Sequence, residues 1–76
     1  MFELPTIRQG DTGKSVKLLQ RLLRGTDYCM KNGMLLGRSG NFGDQTLYCV
    51  KNFQKNKGLT VDGVVGPKTW AALIDS

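Results

Sequence analysis

The chain has 76 residues, enough for one small domain with one core over residues 1–76. A chain of this length buries only about 60% of the surface its unfolded form exposes, so helix ends and turns must define the fold as much as bulk apolar area does. Eleven Lys and Arg against six Asp and Glu give a net charge of +5, which favours polyanions (nucleic acid, anionic lipid, acidic wall polymers) without choosing among them.

Residues 1–5 lack the basic start and apolar centre of a secretory signal, and no stretch approaches the roughly 20 apolar residues of a membrane span. From Thr12 to Arg24, Val16, Leu19 and Leu23 recur at helical spacing. Leu18 and Leu22 widen the stripe, and Lys14, Lys17, Arg21 and Arg24 fall on the other side. This predicts a first helix, capped by Asp11 or Thr12, favoured at its carboxyl end by Arg21 and Arg24 through the helix dipole, and ended by Gly25. The stretch Thr26 to Asn41 is the least regular. Asn32-Gly33 signals a tight turn between Tyr28-Cys29-Met30 and Met34-Leu35-Leu36, so an irregular loop or short hairpin is expected, with Leu35 or Leu36 docked on the core.

From Asp44 to about Lys57, Thr46, Cys49, Val50 and Phe53 mark the apolar face of a second helix. Gly58 stops it, and Leu59 is placed to pack back on its last turn. Pro67 opens a third, short helix, where its missing N–H costs nothing, and Trp70, Leu73 and Ile74 form its stripe. The expected fold is all-α, a compact three-helix bundle with a core of Val16, Leu19, Leu22, Leu23, Cys49, Val50, Phe53, Leu59, Val65, Trp70 and Leu73. Cys29 and Cys49 read as buried reduced thiols acting as small hydrophobes. A disulfide between them is the sharper alternative, closing a loop of about 20 residues and contributing on the order of 3 kcal/mol.

Hydrolytic chemistry is poorly provided for. The chain has no histidine, so the usual zinc ligand sets cannot be built and neither cysteine has an imidazole partner. Asp11, Asp44 and Asp62 sit at turns or helix starts, where capping is their ordinary role. No catalysis, cofactor or metal is expected.

Two segments superimpose along the chain: Phe42-Gly43-Asp44-Gln45-Thr46, followed by Val50, and Val65-Gly66-Pro67-Lys68-Thr69, followed by Leu73. In each, an apolar residue precedes a glycine at a helix start, and a threonine three residues on can satisfy a free N–H or fold back on the preceding turn. A weaker echo joins Val16 to Arg21 with Val50 to Lys55, so the helices read as a duplication. With Ile7-Arg8-Gln9-Gly10-Asp11-Thr12-Gly13, Gln20, Asn41, Gln54, Gly58-Leu59 and Asp62-Gly63-Val64 in the same order, nearly the whole chain resembles the peptidoglycan-binding domain family, the three-helix modules attached to amidases, muramidases, spore-cortex enzymes and phage endolysins. It departs from the family pattern twice. Ser39-Gly40 stands where an Asp-Gly pair is usual, and the stretch from Gly25 to Gly40 is longer than the usual link.

The resemblance implies a non-catalytic module that adheres to peptidoglycan, through its glycan or stem peptide, and targets an attached or partner hydrolase to the wall. It is expected to work as a monomer, outside the cell or in the wall. Candidate ligand-binding residues lie at the repeated turns: Asn41 and Gln45 in the first, Asp62 and Lys68 in the second, and Tyr28 from the intervening loop, convergent if the two units pack side by side. Against this, Asp62 and Asn41 can simply serve their own turns, and Trp70 shares the face of Leu73 and belongs in the core. The basic stripe of the first helix is either a solvated face or an attraction for wall teichoic acids and other anionic wall polymers. The alternative for the whole protein, a small basic nucleic-acid-binding three-helix domain, rests on that stripe alone, because no helix offers a polar recognition face.

Overall fold

The computed structural model describes residues 4–24 and 39–75. Among these residues are three helices, α1 (Lys14–Arg24), α2 (Asp44–Asn56) and α3 (Pro67–Ile74), with α1 packed against both of the others. The hairpin expected around Asn32-Gly33, with Leu35 or Leu36, lies outside the described residues, as does Tyr28. Among the described residues the extended pairings are two isolated antiparallel bridges, Ile7 with Val65 and Thr12 with Asn41.

Those bridges explain why α1 starts at Lys14 rather than directly after a cap at Asp11 or Thr12. Gly10 N–H donates to Phe42 O, Phe42 N–H to Asp11 O, and Gly13 N–H to Gly40 O, so residues 10–13 are held extended against residues 40–42. The first helical bond at this end is from Lys17 N–H to Gly13 O. Neither expected cap acts there. Asp11 Oδ2 instead accepts the Arg8 N–H at 2.9 Å, closing the turn before the helix, and Thr12 is committed to its bridge.

The amino-terminal segment acts as a strap across both repeated turns. It meets the first through Phe42 and the second through Ile7 and Val65, which exchange both backbone bonds at 3.1 and 2.8 Å. At its start, Pro5 O accepts the indole N–H of Trp70 at 2.8 Å. The core comprises Ile7, Val16, Leu19, Leu23, Phe42, Cys49, Val50, Phe53, Val65, Trp70 and Leu73. Leu22 and Leu59, expected in it, are half-buried and pack on its edge. Ile7 and Phe42 join it because the strap and the first turn, which carry no helical period, close its open side.

α3 has eight residues, too few to persist alone. Trp70 holds it, 3% exposed and with its only polar atom satisfied. Removing a buried aromatic typically costs about 3–5 kcal/mol, comparable with the whole stability of a small domain. Gly58, at φ +72°, ends α2, and Leu59 N–H returns to Gln54 O at 2.9 Å, as the left-handed cap requires. The reading of Cys49 as a reduced thiol is corrected: it is fully buried and disulfide-bonded, and the sequence has one other cysteine, Cys29, which lies outside the described residues.

Candidate functional site

The sequence repeat is a structural repeat organised by two buried glutamines. Gln20 on α1 accepts the Gly40 N–H on Oε1 at 2.9 Å, and its Nε2 donates to Asn41 O at 3.0 Å and Thr46 Oγ1 at 3.1 Å. Gln54 on α2 accepts the Gly63 N–H at 3.1 Å and donates to Val64 O at 3.0 Å and Thr69 Oγ1 at 3.2 Å. Each glutamine thus ties a glycine turn to the threonine of the next helix, and both are about 1% exposed. The turns repeat the pattern again: Asn41 N–H donates to Ser39 Oγ at 3.2 Å, and Val64 N–H to Asp62 Oδ1 at 2.9 Å.

The glycines of the two turns have a physical requirement. Gly40 and Gly63 sit at φ +83° and +74°, where a side chain is strained, and a Cβ on Gly63 would lie 2.5 Å from Leu47 Cδ1. Lysines flank both: a Cβ on Gly40 would meet the Lys17 stem, and one on Gly63 the Lys51 stem. Gly43 and Gly66 are different. They cap α2 and α3 in extended conformation, at φ −104° and −99°, without any side-chain cap bond, and a Cβ there would stand in open space.

That open space is part of two equivalent hollows, one per repeat. The first, of about 260 Å³, is lined by Gln20, Ser39, Asn41, Asp44, Gln45 and Thr46 among others. The second, of about 380 Å³, is lined by the corresponding Gln54, Asp62, Val64, Pro67, Lys68 and Thr69, with Leu59 as an added apolar wall. Asn41 and Gln45 therefore share one hollow and Asp62 and Lys68 the other. The four do not converge on a single pocket.

Asp62 does serve its own turn, but with one oxygen. The Val64 N–H, followed by the Gln54 amide at 3.0 Å, holds its carboxyl below the usual aspartate value, against a smaller opposing effect of desolvation. For Asn41 the turn is served by the backbone, which bonds Ser39 and Gln20, while the exposed carboxamide makes no bond among the described residues. Trp70 is core, as expected.

Gln20 and Gln54 line the candidate hollows, and site selection from sequence misses them. The available signal was their place on the helix faces of Val16 and Leu23 and of Val50, four residues before Gln54: a polar side chain at a core register needs several partners. In this structure no buried side-chain polar atom among the described residues is left unsatisfied.

A third, shallower hollow of about 230 Å³ lies on α1, lined by Lys14, Lys17, Leu18 and Arg21. α1 carries no acidic residue, so this face is uniformly positive. Among the described residues no group of His, Cys, Asp and Glu is arranged to hold a metal, and no helix is long and apolar enough to cross a membrane.

Comparison with known proteins gives one consistent answer. Residues 12–73 match the family described as a putative peptidoglycan binding domain. A probable N-acetylmuramoyl-L-alanine amidase of Bacillus licheniformis is 34% identical over 67 residues, covering 88% of this chain and 18% of the amidase. The crystal structure of the SleB N-terminal domain superimposes with a TM-score of 0.84 at 32% identity, over 99% of this chain and 96% of that one. The Burkholderia AP3 phage endolysin superimposes with a TM-score of 0.77 at 39% identity, over 91% of this chain and 24% of the endolysin. The chain spans from 18% to 55% of the length of the curated relatives it matches.

Proposed function

The chain belongs to the peptidoglycan-binding domain family, and on that premise we propose that it adheres to the bacterial wall through the two repeated hollows and serves an attached or partner wall hydrolase by targeting. The observation that carries this reading is the duplication itself: two matching hollows on one rigid unit, each floored by a buried glutamine and threonine and open at a capping glycine. A polymer that repeats both glycan and peptide units offers a ligand to each member of such a pair. Engaging both raises avidity without high affinity at either, by the effective concentration of the second contact.

The amidase and the spore cortex-lytic enzyme among the relatives are enzymes of which this domain is a fraction, so their reaction belongs to other parts of those proteins. The function proposed for this chain is local concentration of a hydrolase on its substrate, working as a monomer, outside the cell or in the wall. The disulfide at Cys49 supports an oxidising compartment. The positive face of α1 supports a supplementary attraction to anionic wall polymers, which high salt would remove. Nucleic acid was the alternative on charge alone, and the family match favours the wall.

The test is retention on purified sacculi at low and high salt, beside a mobility-shift assay with DNA and RNA. Retention at high salt with no nucleic-acid shift is expected. A folded domain that sacculi from several bacterial types fail to hold would overturn the reading.

A further inference from the structure

The repeated hollows share a frame but differ in charge. The two residues after the capping glycine are Asp44 and Gln45 in the first and Pro67 and Lys68 in the second. The first hollow thus carries a fixed anion, Asp44, whose Oδ1 accepts Gln9 Nε2 at 2.6 Å, and it has no cation in its lining. The second carries Lys68, exposed and without a hydrogen bond or ion pair among the described residues. Asp62 turns Oδ1 toward Val64 N–H and Gln54, which leaves its Oδ2 without a bond to another residue among the described residues. Leu59, Val64 and Pro67 make the remaining wall apolar.

We infer, granted the wall-binding reading above, that the second hollow recognises the carboxylate-bearing end of a wall stem peptide and that the first excludes it. Lys68 Nζ pairs with the carboxylate, the Leu59, Val64 and Pro67 wall takes a small apolar side chain beside it, and Asp62 Oδ2 accepts a peptide N–H. A ligand with an anion, a methyl-sized group and an N–H donor matches those three features together, whereas a neutral sugar leaves Lys68 unused. The second hollow is also the roomier of the two, about 380 Å³ against about 260 Å³, and lies within the range of roughly 300–1,000 Å³ usual for small-ligand pockets. In the second hollow Lys68 offsets the carboxylate of Asp62, whereas in the first Asp44 has no cation to offset it and repels an anion.

The experiment follows backbone amide shifts by NMR with three soluble probes: a disaccharide-tetrapeptide muropeptide, the same muropeptide with its carboxyls amidated, and a tetramer of N-acetylglucosamine. The muropeptide is expected to move the amides of Val64, Lys68 and Thr69. Amidation, or Lys68→Gln, should weaken it about tenfold, the scale of one charge-assisted hydrogen bond. Lys68→Gln should leave the sugar tetramer unaffected. Lys68 is exposed, and a thermal melt of the variant checks that the fold persists. Equal affinity of the amidated probe, or unchanged muropeptide affinity in Lys68→Glu, would overturn the inference while wild-type retention on sacculi leaves the wall reading standing. Loss of wild-type retention removes both.

Discussion

Gln54 Nε2 lies 3.0 Å from Asp62 Oδ1, and the corresponding neighbour of Gln20 is Ser39, which carries no charge. Two cradles built from the same backbone and threonine contacts therefore differ by one carboxylate. Replacing each glutamine with glutamate exposes that difference. In Gln20→Glu the new oxygen faces Asn41 O and the Thr46 hydroxyl; in Gln54→Glu it faces Val64 O, the Thr69 hydroxyl and Asp62. A buried charge with poor partners should cost about 3–5 kcal/mol at either place. Like-charge repulsion from Asp62 should add to the loss at residue 54. Urea unfolding at neutral pH reads the difference, and acidification should recover more of the loss in Gln54→Glu, where a protonated glutamate can donate to Asp62. Equal losses at the two positions would show that Asp62 is not felt there.

The same carboxylate gives stability a pH dependence of definite sign. The Val64 N–H and the Gln54 amide lower the pKa of Asp62 in the folded state, so ionised Asp62 favours folding. Its contribution is fully present above the unfolded value near 4 and disappears as pH falls through the lower folded value. Denaturation midpoints measured between pH 5 and pH 2 should fall less steeply in Asp62→Asn than in wild type. Parallel curves would contradict the assignment.

Much of the fold is legible because three apolar periods, Gly58 and Pro67 speak locally. The helix of Val16, Leu19 and Leu23, the cap at Gly58 and the opening at Pro67 all appear where those residues place them. What escapes is non-local. The late start of α1 depends on Phe42 claiming the backbone of Gly10 and Asp11, and burial of Ile7 depends on Val65 more than fifty positions away. The site is harder still. Asn41, Gln45, Asp62 and Lys68 each fall in a hollow, but the duplication that reveals them separates them into two equivalent places. A side-by-side alignment of the repeats contains that relation.

Reduction offers a test of how far the 25–38 stretch stabilises the rest. Cys49 is fully buried on α2 and disulfide-bonded, and the chain's second cysteine is Cys29. A link closing a loop of about 20 residues is worth about 3 kcal/mol in the loop-entropy description. Titration of the unfolded, unreduced protein should find no free thiol, and reductant should lower the thermal midpoint by roughly 4–8 °C per kcal/mol lost. An unchanged midpoint after verified reduction would show that native-state strain offsets the cross-link.

Two glycines of the second repeat separate stability from binding. Gly63 is constrained on both counts, with φ +74° and a Cβ position 2.5 Å from Leu47 Cδ1 and 3.2 Å from Lys51 Cε. Gly63→Ala should therefore destabilise by about 1–3 kcal/mol. Gly66 is constrained on neither: its φ of −99° suits any residue, an added Cβ meets nothing within 4 Å, and it lines the second hollow. Asparagine is among the best N-cap residues, so Gly66→Asn should leave stability unchanged or raise it by a few tenths of a kcal/mol. The same side chain stands in the space proposed for the ligand, and retention on sacculi should drop several-fold. A stable Gly66→Asn variant that sacculi hold as well as wild type would remove the second hollow from the contact surface and leave adhesion to the first hollow and the α1 face.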